Sequence, residues 1–284
     1  MRSERGQAAL EWVGLVLLVA LVSGAAITVA PTVFDGRPLG AELARALVCA
    51  VRGGCDDGDD ALVDAYGERD AALVREYLPN LVYEPRSRTL PVDFRRCRSH
   101  ECSDAPDEEG LDVHRARKGR GTQATVFTHI VRDGGETFLQ YWLYYPDSTS
   151  TWMGSAGLWN KVVKPVTGKD YPGFHPDDWE SVQVRIDDAT GAARVRASSH
   201  REYRGCKECP DEWARWGGWS RVSYGSHAGH IPQPRDSDER TTTAAGVRVV
   251  PIETLSARDR ATAFEVTPPW EKEVYADPRS DSTG

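Results

Sequence analysis

The run His175-Pro176-Asp177-Asp178-Trp179-Glu180 leads directly into Ser181-Val182-Gln183-Val184-Arg185-Ile186. The second half alternates apolar and polar residues, which is the signature of a half-buried strand. Side chains of a strand alternate between its two faces. Asp178 and Glu180 therefore share a face with Val182, Val184 and Ile186. That face should point into a core. Two carboxylates entering a core are costly unless they are paired or hold a cation. This one segment demands a sheet, a buried face, and an explanation for two acids at its edge.

His175, just upstream, offers a further ligand beside the two acids. The plain alternative is a buried ion pair of Asp178 and Glu180 with an arginine such as Arg194 or Arg196. Trp179, on the opposite face, reads as packing. Asp177, adjacent to Asp178, is a candidate general base, as is His227 in the setting Gly225-Ser226-His227-Ala228. His200 and His230 rank lower, and His100, His114 and His129 have no supporting context. The chain has no Gly-x-Ser-x-Gly elbow and no phosphate-binding loop motif.

Residues 8–30 are almost wholly apolar, long enough for one membrane-spanning helix. Arg2 and Arg5 precede the run and Asp35 is the first charge after it. The positive-inside rule then predicts a cytoplasmic N-terminus and an extracytoplasmic bulk, a single-pass protein of the cell membrane. Glu11 interrupts the apolar run, and an acid inside a membrane is expensive and usually functional. Gly6 followed by Gln7-Ala8-Ala9-Leu10-Glu11 resembles the leader of type IV pilins, in particular the tight-adherence pilins and pseudopilins. The resemblance covers about the first thirty residues. It implies processing after Gly6, Glu11 at the fifth position of the processed chain, and subunits of a pilus or secretion fibre as partners.

The net charge of -8 argues against nucleic acid as a main partner. Six cysteines, Cys49, Cys55, Cys97, Cys102, Cys206 and Cys209, favour disulfides in an exported domain. Their spacing suggests three local pairs in chain order, although many connectivities are open. A zinc site built from Cys97, Cys102, Cys206 and Cys209 is the alternative.

Four regions emerge along the chain. Residues 1–30 are the leader and membrane helix. Residues 31–79 are a linker and helical neck, with helical patterns over 38–52 and 60–77. Residues 80–270 form the ectodomain, and residues 271–284 a polar, disordered tail. Within the ectodomain, strands 126–131 and 138–145 flank Asp133-Gly134-Gly135, a hairpin signal. Further strands are expected over 193–199, 220–224 and 247–252. Strands with turn signals and few helices predict a mainly β fold: an antiparallel β-sandwich behind one membrane helix and a short neck.

Three blocks in order carry a second resemblance. They are 139–146 (Leu-Gln-Tyr-Trp-Leu-Tyr-Tyr-Pro), 173–180 (Gly-Phe-His-Pro-Asp-Asp-Trp-Glu) and 224–228 (Tyr-Gly-Ser-His-Ala). They resemble the vacuolar protein sorting-associated protein sixty-two family. The first two also resemble the necrosis- and ethylene-inducing-like proteins. The match covers roughly residues 138–230. It implies a β-sandwich with a divalent cation at one end, held by Asp147, His175, Asp178 and Glu180. Pro176 and Asp177 replace the Arg-His of the second signature, and Phe174 its Gly, so this is not the signature of the plant-cytolytic members. Oxygen-rich ligation with one imidazole suits calcium, magnesium or manganese ahead of zinc.

Three functions follow. The first is a membrane-tethered extracytoplasmic sandwich that binds a glycan or lipid head group through a cation. The second is a metal-dependent extracellular hydrolase. The third is a pseudopilin-like fibre component.

Overall fold

A computed structural model describes residues 58–85, 87, 89–96, 123–148, 159–169, 173, 175–199, 202–205, 212–231 and 240–282. The leader, Gly6, Glu11, the expected membrane helix and all six cysteines lie outside these residues. Among the described residues no helix is long and apolar enough to cross a membrane.

The chain from Gly58 onward is built on two sheets. Helix α1 (Gly58–Glu76) comes first, followed by β1 (Asn80–Tyr83). Strands β2 (Thr125–Asp133), β3 (Glu136–Ser148), β4 (His175–Asp187) and β5 (Ala193–Ser199) form an antiparallel meander. Five short strands follow: β6 (Glu202–Arg204), β7 (Ala214–Arg215), β8 (Trp219–Val222), β9 (Gly229–His230) and β10 (Arg240–Thr242). The last is β11 (Arg248–Pro251). The larger sheet runs β11-β2-β3-β4-β5-β6, with β7 also on β5; the smaller runs β10-β1-β8-β9.

The β2–β3 hairpin forms where the Gly-Gly signal sits. Gly134 and Gly135 take φ of 60° and 81°, the left-handed pair that a two-residue turn requires. The expectation of an antiparallel sandwich needs amending at two places. β1 pairs with β8 in parallel, and β11 pairs with β2 in parallel. Both pairs join strands distant in sequence, where no tight turn imposes an antiparallel return, so the sheets are mixed.

One core lies between the sheets. Leu81, Tyr83 and Val222 of the small sheet pack with Val126, Leu139, Tyr141, Val182, Val184 and Val195 of the large one. The second core lies on the other face of the large sheet, where Phe94, Phe127, Trp142, Tyr144, Trp179 and Tyr203 gather. β3 is therefore buried on both sides almost throughout, and its sequence reads as a nearly continuous apolar run.

Two segments given looser roles are packed. In α1, read as part of the neck, Leu62, Ala71 and Val74 enter the inter-sheet core, and the Tyr141 hydroxyl donates to Val74 O at 3.0 Å. The expected disordered tail is corrected too. Residues 271–282 are described and ordered, with a one-turn helix at Glu273–Ala276 and Val274 fully buried. Polar composition misled here because the anchors are backbone carbonyls. Gln140 Nε2 donates to Val274 O at 2.7 Å, while Arg196 Nη2 donates to Pro278 O and Ser280 O at 2.9 and 2.7 Å.

Candidate functional site

The residues read as a candidate site lie at one end of the large sheet. β3 and β4 pair so that Tyr145 faces Asp178, Asp147 faces Pro176 and Ser148 faces His175. Strand alternation then puts Tyr145 and Asp147 on the same side as Asp178 and Glu180. Val182, Val184 and Ile186 continue that side into the inter-sheet core, as their spacing predicts. The loop from β8 to β9 supplies His227, held at φ 53°. Few non-glycine residues occupy that left-handed region. The loop is tied down at two points: Ser148 Oγ donates to Ser226 O at 3.4 Å, and Tyr224 N donates to Glu84 Oε2 at 2.9 Å.

At the centre, His227 Nδ1 donates to Asp178 Oδ2 at 2.8 Å. His227 is 1% exposed and Asp178 5%. The other imidazole nitrogen lies 3.3 Å from Thr89 Oγ1. Tyr145 stacks flat on the imidazole, with centroids 3.9 Å apart and planes inclined by 7°. His175 Nε2 stands 3.8 Å from the other Asp178 oxygen and is the exposed member, with 42% of its side chain accessible. Asp147 is wholly buried. Glu180 accepts a hydrogen bond from the Ser198 hydroxyl.

The electrostatics are those of crowded acids. Burial, and then the Asp178 carboxylate, hold the Glu180 carboxyl well above the usual range; the Ser198 hydroxyl and the Lys272 ammonium act against this. Lys272 is itself pushed down by burial and partly restored by Glu180 and Asp178. Burial also drives the Tyr145 phenol well up, helped by Tyr83, Asp178 and Glu180. The Tyr145 oxygen is buried and has no hydrogen-bond partner among the described residues.

Neither arginine named above pairs with the two acids among the described residues. Arg196 lies on the opposite side of the sheet, bonded to Gln183 Oε1 at 2.9 Å and Asp281 Oδ1 at 2.7 Å. Asp178 and Glu180 meet imidazole and hydroxyl groups instead. Asp177 is also turned away from the cluster, at φ 55°. It accepts from the Tyr144 hydroxyl and from Glu265 N, each at 2.8 Å, and so anchors a later loop. Trp179 is packing, as read from its face, inside a group of aromatic rings with Phe94, Tyr144 and Phe264.

Of the lower-ranked histidines, His230 Nε2 lies 2.6 Å from Ser223 Oγ, and His200 is outside the described residues. His129 does have a context. It pairs with Glu253, which also accepts from the Tyr66 hydroxyl at 2.5 Å, and its ring stacks on Tyr275 at 3.8 Å. That cluster pins α1 to the C-terminal half. Sequence reasoning missed Thr89, Ser198 and Lys272 as site members. Nothing in their local pattern marks them, because topology alone brings them in.

The donor set, three carboxylates and an imidazole, has the chemistry of a hard divalent cation. As placed, the groups turn toward one another. Among the described residues no three His, Cys, Asp or Glu side chains gather in an arrangement that could hold a metal ion.

No protein-family model matches the chain. No curated protein matches it either. Several solved structures are similar. One is described as a toxin fold serving as a basis for microbial attack and plant defence. It is 19% identical, with 76% of this chain and 92% of that one covered and a TM-score of 0.41–0.43 across this and the next match. That next match is NLPPya in complex with glucosamine, at 18% identity with 74% and 88% covered. A third is the Necrosis and Ethylene inducing Protein 2 from the causal agent of cocoa's Witches Broom disease, at 18% identity, 66% and 77% covered, and a TM-score of 0.37. These are necrosis- and ethylene-inducing toxin-fold proteins. A likeness of this degree carries neither ligand nor activity across.

Proposed function

We propose that this chain is a membrane-tethered, extracytoplasmic β-sandwich that binds a polar ligand, a glycan or a lipid head group, through a divalent cation at one end of the large sheet. The observation that carries this reading is the buried Asp178, paired with His227 and with His175 at its solvent side, whose charge bears on the neighbouring Glu180 carboxyl, with the buried Asp147 on the adjoining strand. Buried acids of like charge repel, and a cation relieves that repulsion directly. Asp147, His175, Asp178 and Glu180 would hold it, with His227 positioning Asp178 from behind. Calcium, magnesium or manganese suits these donors better than zinc. Such an ion supplies a charged contact for hydroxyl, carboxylate or phosphate oxygens of a ligand.

The hydrolase alternative finds less support. Thr89, His227 and Asp178 make a hydroxyl–imidazole–carboxylate series, but Thr89 is 2% and His227 1% exposed, which leaves no face for a substrate. Asp177, the other candidate base, already accepts two hydrogen bonds. The tether and the pilin-like processing rest on Gly6, Glu11 and the apolar run of residues 8–30. Glu11→Ala that leaves fibre or membrane assembly unchanged would remove the pseudopilin reading and leave the sandwich reading intact.

The test of the cation is metal analysis of the purified chain beside Asp147→Asn and Glu180→Gln. The expected result is one equivalent of a divalent ion in the wild type and none in either variant. Metal-free protein throughout, with calcium and manganese giving no rise in Tm, would sink the cation and leave a buried polar network.

A further inference from the structure

The connection from β3 to β4 leaves and returns at the end of the large sheet where Ser148 pairs with His175. Part of it is folded. A π-helical turn at Trp159–Val163 runs into one α-helical turn at Lys164–Thr167. The segment closes on itself. The Trp159 indole donates to Lys169 O at 3.0 Å, the Thr167 hydroxyl to Val163 O at 2.9 Å and Gly168 N to Lys164 O at 2.8 Å. Gly168 takes the left-handed conformation that ends such a turn, at φ 67°. Pro165 has no amide donor to satisfy. The two ends are therefore tied together, and several backbone groups are paired within the segment before anything binds to it.

Its outward side chains stand apart from the rest of the molecule. Val166 is 85% exposed and Val162 57%. They are four residues apart, so the helical turn puts them on one face. Among the described residues only Val63, at 36%, joins them as an exposed large apolar side chain. No residue of the Lys164–Thr167 turn is buried. An aliphatic side chain left this far in water forfeits most of the free energy that burial would bring.

Positive charge surrounds the valines. The chain has six lysines, Lys118, Lys161, Lys164, Lys169, Lys207 and Lys272, and three of them fall within nine residues here. No Asp or Glu occurs from 148 to 169. Lys161 and Lys169 are exposed, and Lys164 is half-buried. On a chain of net charge -8 this is a local positive patch.

The two features together select the partner. A nucleic acid offers phosphates but nothing for aliphatic side chains on a projecting turn. A second copy of this chain, docked through the same face, would set lysine against lysine across the two-fold axis. A bilayer containing anionic lipid accommodates both. Valines enter between the head groups, and the flexible lysine stems carry their ammonium groups back to the phosphates.

We infer that Trp159–Lys169 is a docking surface for an anionic lipid bilayer. Val162 and Val166 enter the interface, and Lys161, Lys164 and Lys169 meet phosphate oxygens. The attraction falls as salt is raised. The inference rests on this segment and needs neither the cation nor the membrane helix.

The test is hydrogen exchange, read by mass spectrometry, of the full chain on vesicles of phosphatidylcholine alone and of phosphatidylcholine mixed with phosphatidylglycerol. Whatever residues 8–30 do in a bilayer is common to both, so the local difference between them reports on this segment. On the mixed vesicles its amides should exchange about tenfold more slowly, and high salt should abolish the slowing. Lys161→Gln, Lys164→Gln and Lys169→Gln together should erase the difference between the two lipids. Val162→Ser with Val166→Ser should remove most of the slowing, and Val162→Leu with Val166→Leu should deepen it. Both valines are exposed, so the fold survives these changes. Chelator should leave the result unchanged, so a failure of the cation reading leaves this surface standing. Equal exchange on both vesicles, or slowing that survives the lysine substitutions, would overturn the assignment. So would protection without vesicles that grows with protein concentration, which would give the face to a second copy. Full slowing in the serine variant would overturn insertion of the valines and leave a bare charge attraction.

Discussion

The two faces of the large sheet differ in how buried charge is matched. On the outer, aromatic face the buried charged groups named above meet complementary partners, although Trp179 Nε1 and Gln183 Nε2 have none among the described residues. Asp177 accepts from Tyr144 and Glu265, and Gln140 donates to Val274 O and accepts from Trp142 Nε1 at 3.1 Å. Arg196 spreads over a side-chain amide, a carboxylate and two carbonyls while stacking on Tyr203 and Trp213. On the inner face, at the end of β4, acid meets acid, and a buried phenol has no hydrogen-bond partner among the described residues. Matched polarity reads as architecture. Mismatched polarity in an otherwise well-paired fold reads as a place kept for something else.

The largest expected effect tests the buried pairing of Asp178 with His227 on the inner face. Asp178→Ala strips His227 of its buried carboxylate and should cost about 3 kcal/mol, read by urea denaturation. A loss no larger than that of a surface substitution would mean that the pair contributes nothing to holding the loop. Next, Arg196→Ala removes the clasp on residues 278–281 from the outer face and should cost about 2 kcal/mol. It should also open the C-terminal segment to proteolysis. Unchanged proteolysis would place the anchoring in Val274 and Lys272 instead. Asp177→Asn keeps one strong acceptor of two and should cost about 1 kcal/mol. A cost equal to that of Asp178→Ala would erase the distinction between the two faces.

What was legible in the sequence followed local periodicity. The alternation of 178, 180, 182, 184 and 186 gave the inward face of β4, and Gly134-Gly135 gave the hairpin. The closeness of His175 to Asp178 was legible because the two stand three residues apart on one strand end, whereas the contact of His227 with Asp178 joins segments 49 residues apart. What local pattern does not carry is pairing between distant segments. The parallel pairings of β1 with β8 and of β11 with β2 leave no mark on either strand alone. The C-terminal segment looks like a polar tail, since its anchors are carbonyls bound by Gln140 and Arg196, far back in the chain. The same blindness hid Lys272, the cation nearest in effect to Glu180. The pairing of Arg194 with Arg215 emerges only once β7 is laid on β5.

The smallest effect is the most discriminating, because its sign differs between the faces. Glu180 is held above its ordinary value of 4.5 by burial and by Asp178. The folded state therefore binds its proton more tightly than the unfolded state does. The stability this gives is fully present below the unfolded value, near 4.5, and is lost as pH rises through the elevated folded value. In chelator, the wild type should thus lose stability from about pH 4.5 upward. Glu180→Gln, uncharged at every pH, should flatten that slope and raise Tm at neutral pH. With calcium or manganese present the order should reverse, since the wild type gains from the ion and the variant has lost a ligand. Asp93, buried against Arg95 and Arg248, gives the opposite slope. Burial pushes its carboxyl up, but the two guanidiniums outweigh this and hold it below the usual range, so its stability is present above the unfolded value and is lost on acidification. If Glu180→Gln lowers stability in chelator as well as in metal, Glu180 belongs with Asp93 among the matched groups, and the inner face holds no vacancy for a cation.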